Sequence, residues 1–195
     1  LLQPNLGTSV MLLAAGAGVM FAAGVSLWYF GAVIALVGGS VAAVILSEGK
    51  SWQLLHDYQY KRIHTFLDPS ADPLGAGYNI IQAKIALGSG GWAGKGFMQG
   101  TQSRLNFLPE KHTDFIFTTL GEEFGFVGAI SLLALYTLVL VFLMSAAMQN
   151  KDRFSQLLII GVAMNFFLYI AVNLSMVMGM APVVGVPLLL LSYGG

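Results

Sequence analysis

The chain alternates between long hydrophobic runs and short polar breaks, and one long polar insert separates the second run from the third. The runs lie at about 6–23, 28–46, 124–147 and 157–178, with the start of another at 188. Each complete run approaches the ~20 residues that an α-helix needs to cross a bilayer. The pattern predicts an all-α fold, a polytopic transmembrane helical bundle that forms a single membrane domain over residues 1–195. The loop at about 47–118 is expected to contain short helices.

Composition narrows the class of protein. Hydrophobic residues make up 56% of the chain and charged residues 9%, whereas soluble domains carry roughly 25% charged residues. We therefore predict an integral membrane protein. The absence of cysteine excludes disulfides and thiol chemistry, and a net charge of zero gives no indication of nucleic-acid binding. An opening without Met and an apolar run that reaches the last residues predict an internal part of a larger protein.

The charged residues predict an orientation in the membrane. Most of them lie in the polar insert from Glu48 to Asp114, together with all three histidines. Lys151 and Arg153 lie in the short turn between the third and fourth runs, and the positive-inside rule places such a turn in the cytoplasm. Counting spans from that turn puts the insert, and the proline-containing segment after Met180, on the outer side.

One part of the insert suggests a surface helix. Trp52–Leu67 has its apolar residues at helical spacing, which fits a helix lying in the membrane interface or an amphipathic helix packed on the insert. His56 and His64 within it lack the spacing and the partner ligands of a metal site. Residues 78–87 form a second, short helix candidate that cannot span a bilayer.

The stretch Gly88–Gly100 is rich in glycine but matches nucleotide-binding loops poorly. Its dinucleotide-type spacing follows no predicted strand, and Gly94-Lys95 lacks the Ser or Thr that ends a phosphate loop. Two interpretations stay open at this point. Backbone N–H groups together with Lys95 face a pyrophosphate, or the stretch is a flexible loop.

Ionisable side chains are concentrated where the insert meets the third run, in Leu105–Gly128. Carboxylates at a membrane entrance are costly unless they are paired, solvated or used in chemistry. Asp114 has two interpretations, as a general base or as the N-cap of a helix that begins at Phe115. Glu122 and Glu123 point about 100° apart on a helix, so one is expected to pair inside the bundle and the other to lie at the interface.

The fourth run carries a polar face. Asn165, Tyr169 and Asn173 share one side of it. Because amide side chains in lipid need hydrogen-bond partners, this face is predicted to point into the bundle. Pro182 and Pro187 interrupt the apolar pattern that follows and prevent a continuous helix.

Motifs along the whole chain resemble those of the SEDS family of membrane glycosyltransferases, the group that contains RodA and FtsW. They are QPNLGT at 3–8, DPLGAGY at 72–78, LPEKHTDFIF at 108–117, GEEFGFVG at 121–128 and PVVGVPLLLLSYGG at 182–195. Asn5 replaces the family's usual Asp, and Leu189 stands where a second Pro is frequent. Lys84 and the stretch 100–103 are more similar to RodA than to FtsW. The family fold has about ten helices, so the resemblance implies its C-terminal half without the last helix.

The resemblance implies a peptidoglycan glycan-strand polymerase in cell elongation and cell-shape control. Such enzymes join the disaccharide units of lipid II, release undecaprenyl pyrophosphate and work with a class B penicillin-binding protein. The implied location is the bacterial inner (plasma) membrane, with a multi-pass chain whose active face is periplasmic. Membrane lipid and the glycan strand are implied partners, and nucleic acid is not.

The resemblance also implies roles for individual side chains. Asp114 matches the family's essential Asp and is the candidate base for the acceptor sugar 4-hydroxyl. An ordinary aspartate is a weak base, so partial burial is expected. Glu110 is a candidate to orient substrate or to hold a metal, and a divalent cation such as Mg²⁺ is compatible with the chemistry. The other candidates are Arg104, Lys111 and Lys95 for phosphate contacts, and Gln82 and Ser192 for weaker substrate contacts. Solvated loop charges and helix packing are the alternatives for these five residues.

Two other functions fit the sequence. A flippase for lipid-linked precursors would carry polar or charged pairs near the bilayer midplane and broken helices in paired repeats, and only one interruption, near Pro182, is visible. A non-catalytic scaffold for a penicillin-binding protein is also consistent with the pattern. Polymer formation from lipid II would separate the enzyme from both alternatives.

Overall fold

The computed structural model describes residues 6–47, 76–104, 113–181 and 185–193. Six helices lie in these ranges: α1 (Leu6–Ala22), α2 (Leu27–Ser47), α3 (Ala76–Ser89), α4 (Thr101–Arg104), α5 (Ile116–Gln149) and α6 (Arg153–Val177). No strand is present in the described ranges. The predicted all-α fold is thereby confirmed.

Three helices, α2, α5 and α6, are long and apolar enough to cross a membrane. The apolar helix α1 has 17 residues and is shorter than the other three. Large apolar side chains on α2, among them Trp28, Ile34 and Leu36, are two-thirds or more exposed, as expected of a helix that faces lipid. The chain is therefore a multi-pass membrane protein.

Helix α6 packs against both α5 and α1, and α3 packs mainly against α5. Buried apolar side chains from three helices and from the segment after α6 form one core: Ala83, Phe115, Phe117, Tyr136, Ile170, Met176, Val177 and Leu188. This core lies around the N-terminal end of α5. It therefore supports the turn that carries Asp114.

Helix α5 is interrupted near its N-terminal end. Its 34 residues would be about 51 Å long as a continuous helix, well beyond the ~30 Å hydrocarbon core. Gly125 has φ 66° and ψ −160°, far from helical values. The part from Phe126 to Gln149 is about 36 Å long and suffices to span. The helix thus begins earlier than the predicted run at about 124, but its spanning part begins at the break.

The segment after α6 returns to the head of α5 without forming a helix. Residues 185–193 form an extended stretch and turns, with the amide of Ser192 bonded to the carbonyl of Leu188 at 2.9 Å. The helix start predicted at 188 is therefore wrong within this range. The Tyr136 hydroxyl donates to the carbonyl of Leu189 at 2.7 Å, which fixes the segment against α5.

Some predictions fall outside the described residues. They concern the candidate helix Trp52–Leu67 with its two histidines, the substitution at Asn5, and the candidate site residues Glu110 and Lys111.

Candidate functional site

Asp114 lies in a turn directly before α5. Its exposed fraction is 8%, so the partial burial expected of a basic carboxylate is present. The helix begins at Ile116, and the residue at the cap position is Phe115, which makes no side-chain cap hydrogen bond. The interpretation of Asp114 as the N-cap of a helix beginning at Phe115 is therefore wrong, because the helix starts one residue later.

Two buried side chains hold the backbone of this turn. The Asn173 amide nitrogen donates to the carbonyl of Asp114 at 2.8 Å and to the carbonyl of Val186 at 2.7 Å. The Ser192 hydroxyl donates to the carbonyl of Thr113 at 2.7 Å and accepts from the amide of Leu188 at 2.8 Å. The turn is thus joined to α6 and to the segment 185–193 through main-chain oxygens.

An open apolar cavity lies beside the turn. It has a volume of about 590 Å³ and is lined by Ile116, Leu191, Ser192 and Tyr193. Gly185 lies close to the carboxylate, because a Cβ atom built on it would sit 3.5 Å from Asp114 Oδ2. The site therefore combines one buried carboxylate with an apolar surface that is open at its edge.

The glycine-rich loop has a structural partner, the break in α5. In a continuous helix the amides of Phe126 and Val127 would bond to the carbonyls of Glu122 and Glu123. At the break these two amides donate instead to loop carbonyls at 2.8 and 3.1 Å, and the two helix carbonyls accept from loop amides at 3.0 and 2.9 Å. The loop groups are the carbonyls of Gly91 and Trp92 and the amides of Lys95 and Gly96.

This exchange explains the glycines of the loop. A Cβ atom on Gly94 would overlap the carbonyl of Glu123, and one on Gly125 would overlap the amide of Gly94. Both residues also have positive φ, 78° and 66°, which disfavours residues with a side chain. The loop is therefore glycine-rich because two backbones meet without intervening side chains. In this arrangement the amides of Lys95 and Gly96 donate to carbonyls of α5.

The Lys95 side chain forms an ion pair with Glu122. The distance between Lys95 Nζ and Glu122 Oε1 is 2.8 Å, and the Glu122 side chain is fully buried. The same oxygen accepts from the Thr101 hydroxyl at 3.1 Å and from the Gln102 amide at 3.0 Å. The expectation that one of the two adjacent glutamates pairs inside the bundle is confirmed for Glu122, while Glu123 is half-buried.

The structure brings together only part of the predicted site. Asp114 and Ser192 meet at the turn, whereas Lys95 lies at the break in α5 and uses its ammonium group on Glu122 and Thr101. Gln82 is half-buried on α3, and Arg104 ends the short helix α4. Among the described residues no three His, Cys, Asp or Glu side chains come together as a metal site.

The sequence did not predict the hydrogen bonds by which Asn173 and Ser192 hold the turn before α5. Asn173 was predicted to point inward, and it is fully buried, but its bonds to Asp114 and Val186 join residues far apart in sequence. A lone amide in an apolar helix signals a polar contact without naming its partner. For Glu122 the sequence indicated the need for a cation, because a carboxylate entering a membrane is costly unpaired. It did not single out Lys95, since Arg104 and Lys111 lie nearer in sequence.

Known proteins resemble this chain over nearly its whole length. It is 48% identical over 193 residues to the peptidoglycan glycosyltransferase MrdB of Escherichia coli (strain K12), which covers 99% of this chain and 50% of that protein. It is 46% identical over 143 residues to the peptidoglycan glycosyltransferase RodA of Treponema pallidum (strain Nichols), covering 73% of this chain and 33% of the relative. A probable peptidoglycan glycosyltransferase FtsW of Trichlorobacter lovleyi is 39% identical, covering 99% and 48% respectively.

The fold has a solved counterpart. One solved structure concerns the structural coordination of polymerization and crosslinking by a peptidoglycan synthase complex. A chain of that structure superposes on this one with a TM-score of 0.73 and 31% identity, and the match covers 99% of this chain and 51% of the other. The chain thus spans about half the length of these relatives, apart from the RodA protein, of which it covers a third. The family model for FtsW, RodA and SpoVE, described as cell cycle protein, matches residues 1–195. With every residue inside that match, the chain belongs to the FtsW/RodA/SpoVE family.

Proposed function

We propose that the full-length protein containing this chain polymerises lipid II into peptidoglycan strands and releases undecaprenyl pyrophosphate, with Asp114 as the general base. The observation that carries the proposal is the buried Asp114 carboxylate, held at the head of a spanning helix beside an open apolar cavity. The names of the relatives, which are peptidoglycan glycosyltransferases, support the same reaction class.

The proposed step uses the carboxylate as a proton acceptor. Asp114 takes the proton from the 4-hydroxyl of the acceptor sugar while that oxygen attacks the anomeric carbon of the donor. The bond between this carbon and the pyrophosphate oxygen breaks, and the leaving group keeps the electron pair. Removal from water disfavours the charged form of a carboxylate and makes it a stronger base. A positioned base typically contributes about 10²–10⁴-fold to the rate.

The surroundings of Asp114 suit the two ends of a lipid-linked sugar. The apolar cavity beside Ile116 and Leu191 would accept part of a polyprenyl chain. Arg104 and Lys111 remain our candidates for the pyrophosphate and Glu110 for substrate orientation, since all three lie in the chain segment leading to Asp114. Lys95 is assigned a structural role instead, because its ammonium group is bonded to Glu122 and Thr101.

We further propose that the protein acts in the bacterial inner membrane with a class B penicillin-binding protein, in cell elongation. The similar solved chain comes from a peptidoglycan synthase complex, and the MrdB and RodA relatives cover this chain at higher identity than the FtsW relative does. We propose a periplasmic active face, and the position of Lys151 and Arg153 at the opposite end of α5 from Asp114 supports it through the positive-inside rule.

The reaction is tested with the purified full-length protein and lipid II. Formation of glycan polymer by the wild type, with or without its penicillin-binding partner, is the expected result. Translocation of lipid II across vesicles without polymer would favour a flippase. Neither activity, with normal binding of the partner, would favour a scaffold.

The orientation is tested by cysteine labelling in intact cells, after replacement of any cysteine outside residues 1–195, which contain none. Ser70→Cys should react with a membrane-impermeant thiol reagent, and Ser155→Cys should react only after the membrane is opened. The reverse labelling pattern would place Asp114 in the cytoplasm and contradict the proposed active face.

A further inference from the structure

Asn173 occupies a special place among the polar residues of the spanning helices. Its exposed fraction is 0%, and it lies on α6, eight residues and about two turns after Asn165. Both of its amide hydrogens are used, one on the carbonyl of Asp114 and one on that of Val186. One side chain therefore joins three parts of the fold: α6, the turn before α5, and the segment 185–193.

The contacts are directional, so they differ from ordinary packing. Only a donor can satisfy two carbonyl oxygens at 2.8 and 2.7 Å, and a buried carbonyl that loses its donor makes the folded state less stable. The Asn173 side-chain oxygen accepts no hydrogen bond from the described part of the chain. The donor half of the amide is thus the half that the site uses.

The bond to Asp114 involves its main chain and not its carboxylate. A shift of the turn would move the carboxylate relative to the sugar hydroxyl, and displacements of about 1 Å lower catalytic rates by as much as ~10²-fold. We infer that Asn173 is a positioning residue that sets the place of Asp114 by holding its backbone carbonyl against α6 and the segment 185–193. The inference rests on the proposed function, because it assigns Asp114 the role of base.

Three variants of the full-length protein separate this role from simple packing. Asn173→Leu has a similar volume and no donor. Asn173→Asp keeps the shape and the side-chain oxygen but turns an acceptor toward both carbonyls. Asn165→Leu is the matched control, since it changes an asparagine on the same helix that makes no hydrogen bond to the turn in the described structure.

The measurements are kcat and KM for lipid II per folded molecule, the melting temperature, and hydrogen exchange of the amides in residues 113–119. We expect both Asn173 variants to lower kcat by about 10–100-fold, with KM changed less than about threefold, and to speed exchange in residues 113–119. Asn173→Asp should be at least as impaired as Asn173→Leu, and Asn165→Leu should match the wild type in kcat and exchange.

Several results would overturn the inference. Full kcat per folded molecule with a lowered melting temperature would reduce Asn173 to a structural residue, and so would failure of both Asn173 variants to fold. A normal Asn173→Asp variant would show that only volume matters. Absence of polymer with the wild type is a different outcome, since it removes the proposed function itself.

Discussion

Two buried carboxylates lie eight residues apart near the head of α5, and they are held in different ways. Glu122 is fully buried, and its Oε1 atom accepts hydrogen bonds from the Lys95 ammonium group, the Thr101 hydroxyl and the backbone amide of Gln102. Asp114 is 8% exposed, and Asn173 and Ser192 hold the carbonyls of Asp114 and the preceding residue. The contacts of Glu122 depend on the charge of its side chain. The hydrogen bonds from Asn173 and Ser192 to the Asp114 turn do not depend on the Asp114 charge.

The difference separates structural from chemical use of an acidic group. A buried carboxylate that joins elements must be compensated by a cation and by donors, as Glu122 is. The hydrogen bonds from Asn173 and Ser192 to the Asp114 turn fall on main-chain oxygens, so they do not depend on the acidic side chain. Substitution of the acid should therefore damage stability at Glu122 and activity at Asp114.

The largest effect is expected for Asp114→Asn. The backbone bonds from Asn173 and Ser192 are kept, so the variant should express, insert and melt like the wild type, but polymerisation should fall by about 10²–10⁴-fold. Asp114→Ala should be inactive to the same degree, because Asp114 does not occupy the cap position. The measurement is the rate of lipid II polymerisation by purified full-length protein. Near-normal activity of the Asn variant would remove Asp114 as the base.

The next effect concerns stability at the other carboxylate. Lys95→Met leaves the charge of Glu122 buried without its cation, which should lower the free energy of unfolding by about 3 kcal/mol. Combining it with Glu122→Gln should recover most of that loss, since the amide oxygen still accepts from Thr101 and Gln102. Denaturant unfolding in detergent provides the measurement. Equal stability of the single and double variants would show that the ion pair is unimportant.

A smaller effect is expected from Gly185→Ala at the first site. Gly185 has φ 69°, so alanine should destabilise the protein by roughly 1–2 kcal/mol. Its methyl group would also touch Asp114 Oδ2, and the polymerisation rate should fall. Gly24→Ala is the control, because Gly24 has φ 92° with no atom within 4 Å of a built Cβ. If both variants lower stability and neither lowers kcat, Gly185 has no part in the site.

The smallest effect belongs to a third carboxylate, outside both sites. Asp152 caps α6, and the hydrogen bond from the Ser155 hydroxyl, followed by that from its amide, lowers the pKa of Asp152 below the usual 3.8. A lowered folded-state pKa means that the contribution of the cap is present above pH 3.8 and is lost as pH falls through the folded value.

Asp152→Ala should therefore melt slightly below the wild type at pH 7, and the difference should shrink progressively as the pH falls below 3.8. Asp152→Asn, which caps about equally well, is the control. A difference in melting temperature that stays constant down to the lowest pH would contradict the titration of this cap.

The sequence predicted the helices far better than their contacts. Hydrophobic runs decide where spanning helices form, so α2 and α6 were found within a few residues, while the start of α5 was predicted eight residues too late. The break at Gly125 was missed because the apolar pattern continues across it. The break is stable because the docked loop forms hydrogen bonds with the backbone groups that it leaves unpaired in α5. The resemblance singled out Asp114, but the residues that hold it act across distances of up to 79 positions, which no local pattern encodes.

The exchange of hydrogen bonds between the loop and α5 has a consequence for biosynthesis. A broken helix entering a bilayer leaves peptide groups without partners, and lipid offers none. Residues 91–96 leave the ribosome before residues 122–127, so the partners of the break already exist when the break itself is made. A permutation that moved the loop behind α5 would leave these four backbone groups without their loop partners until the loop itself had been translated.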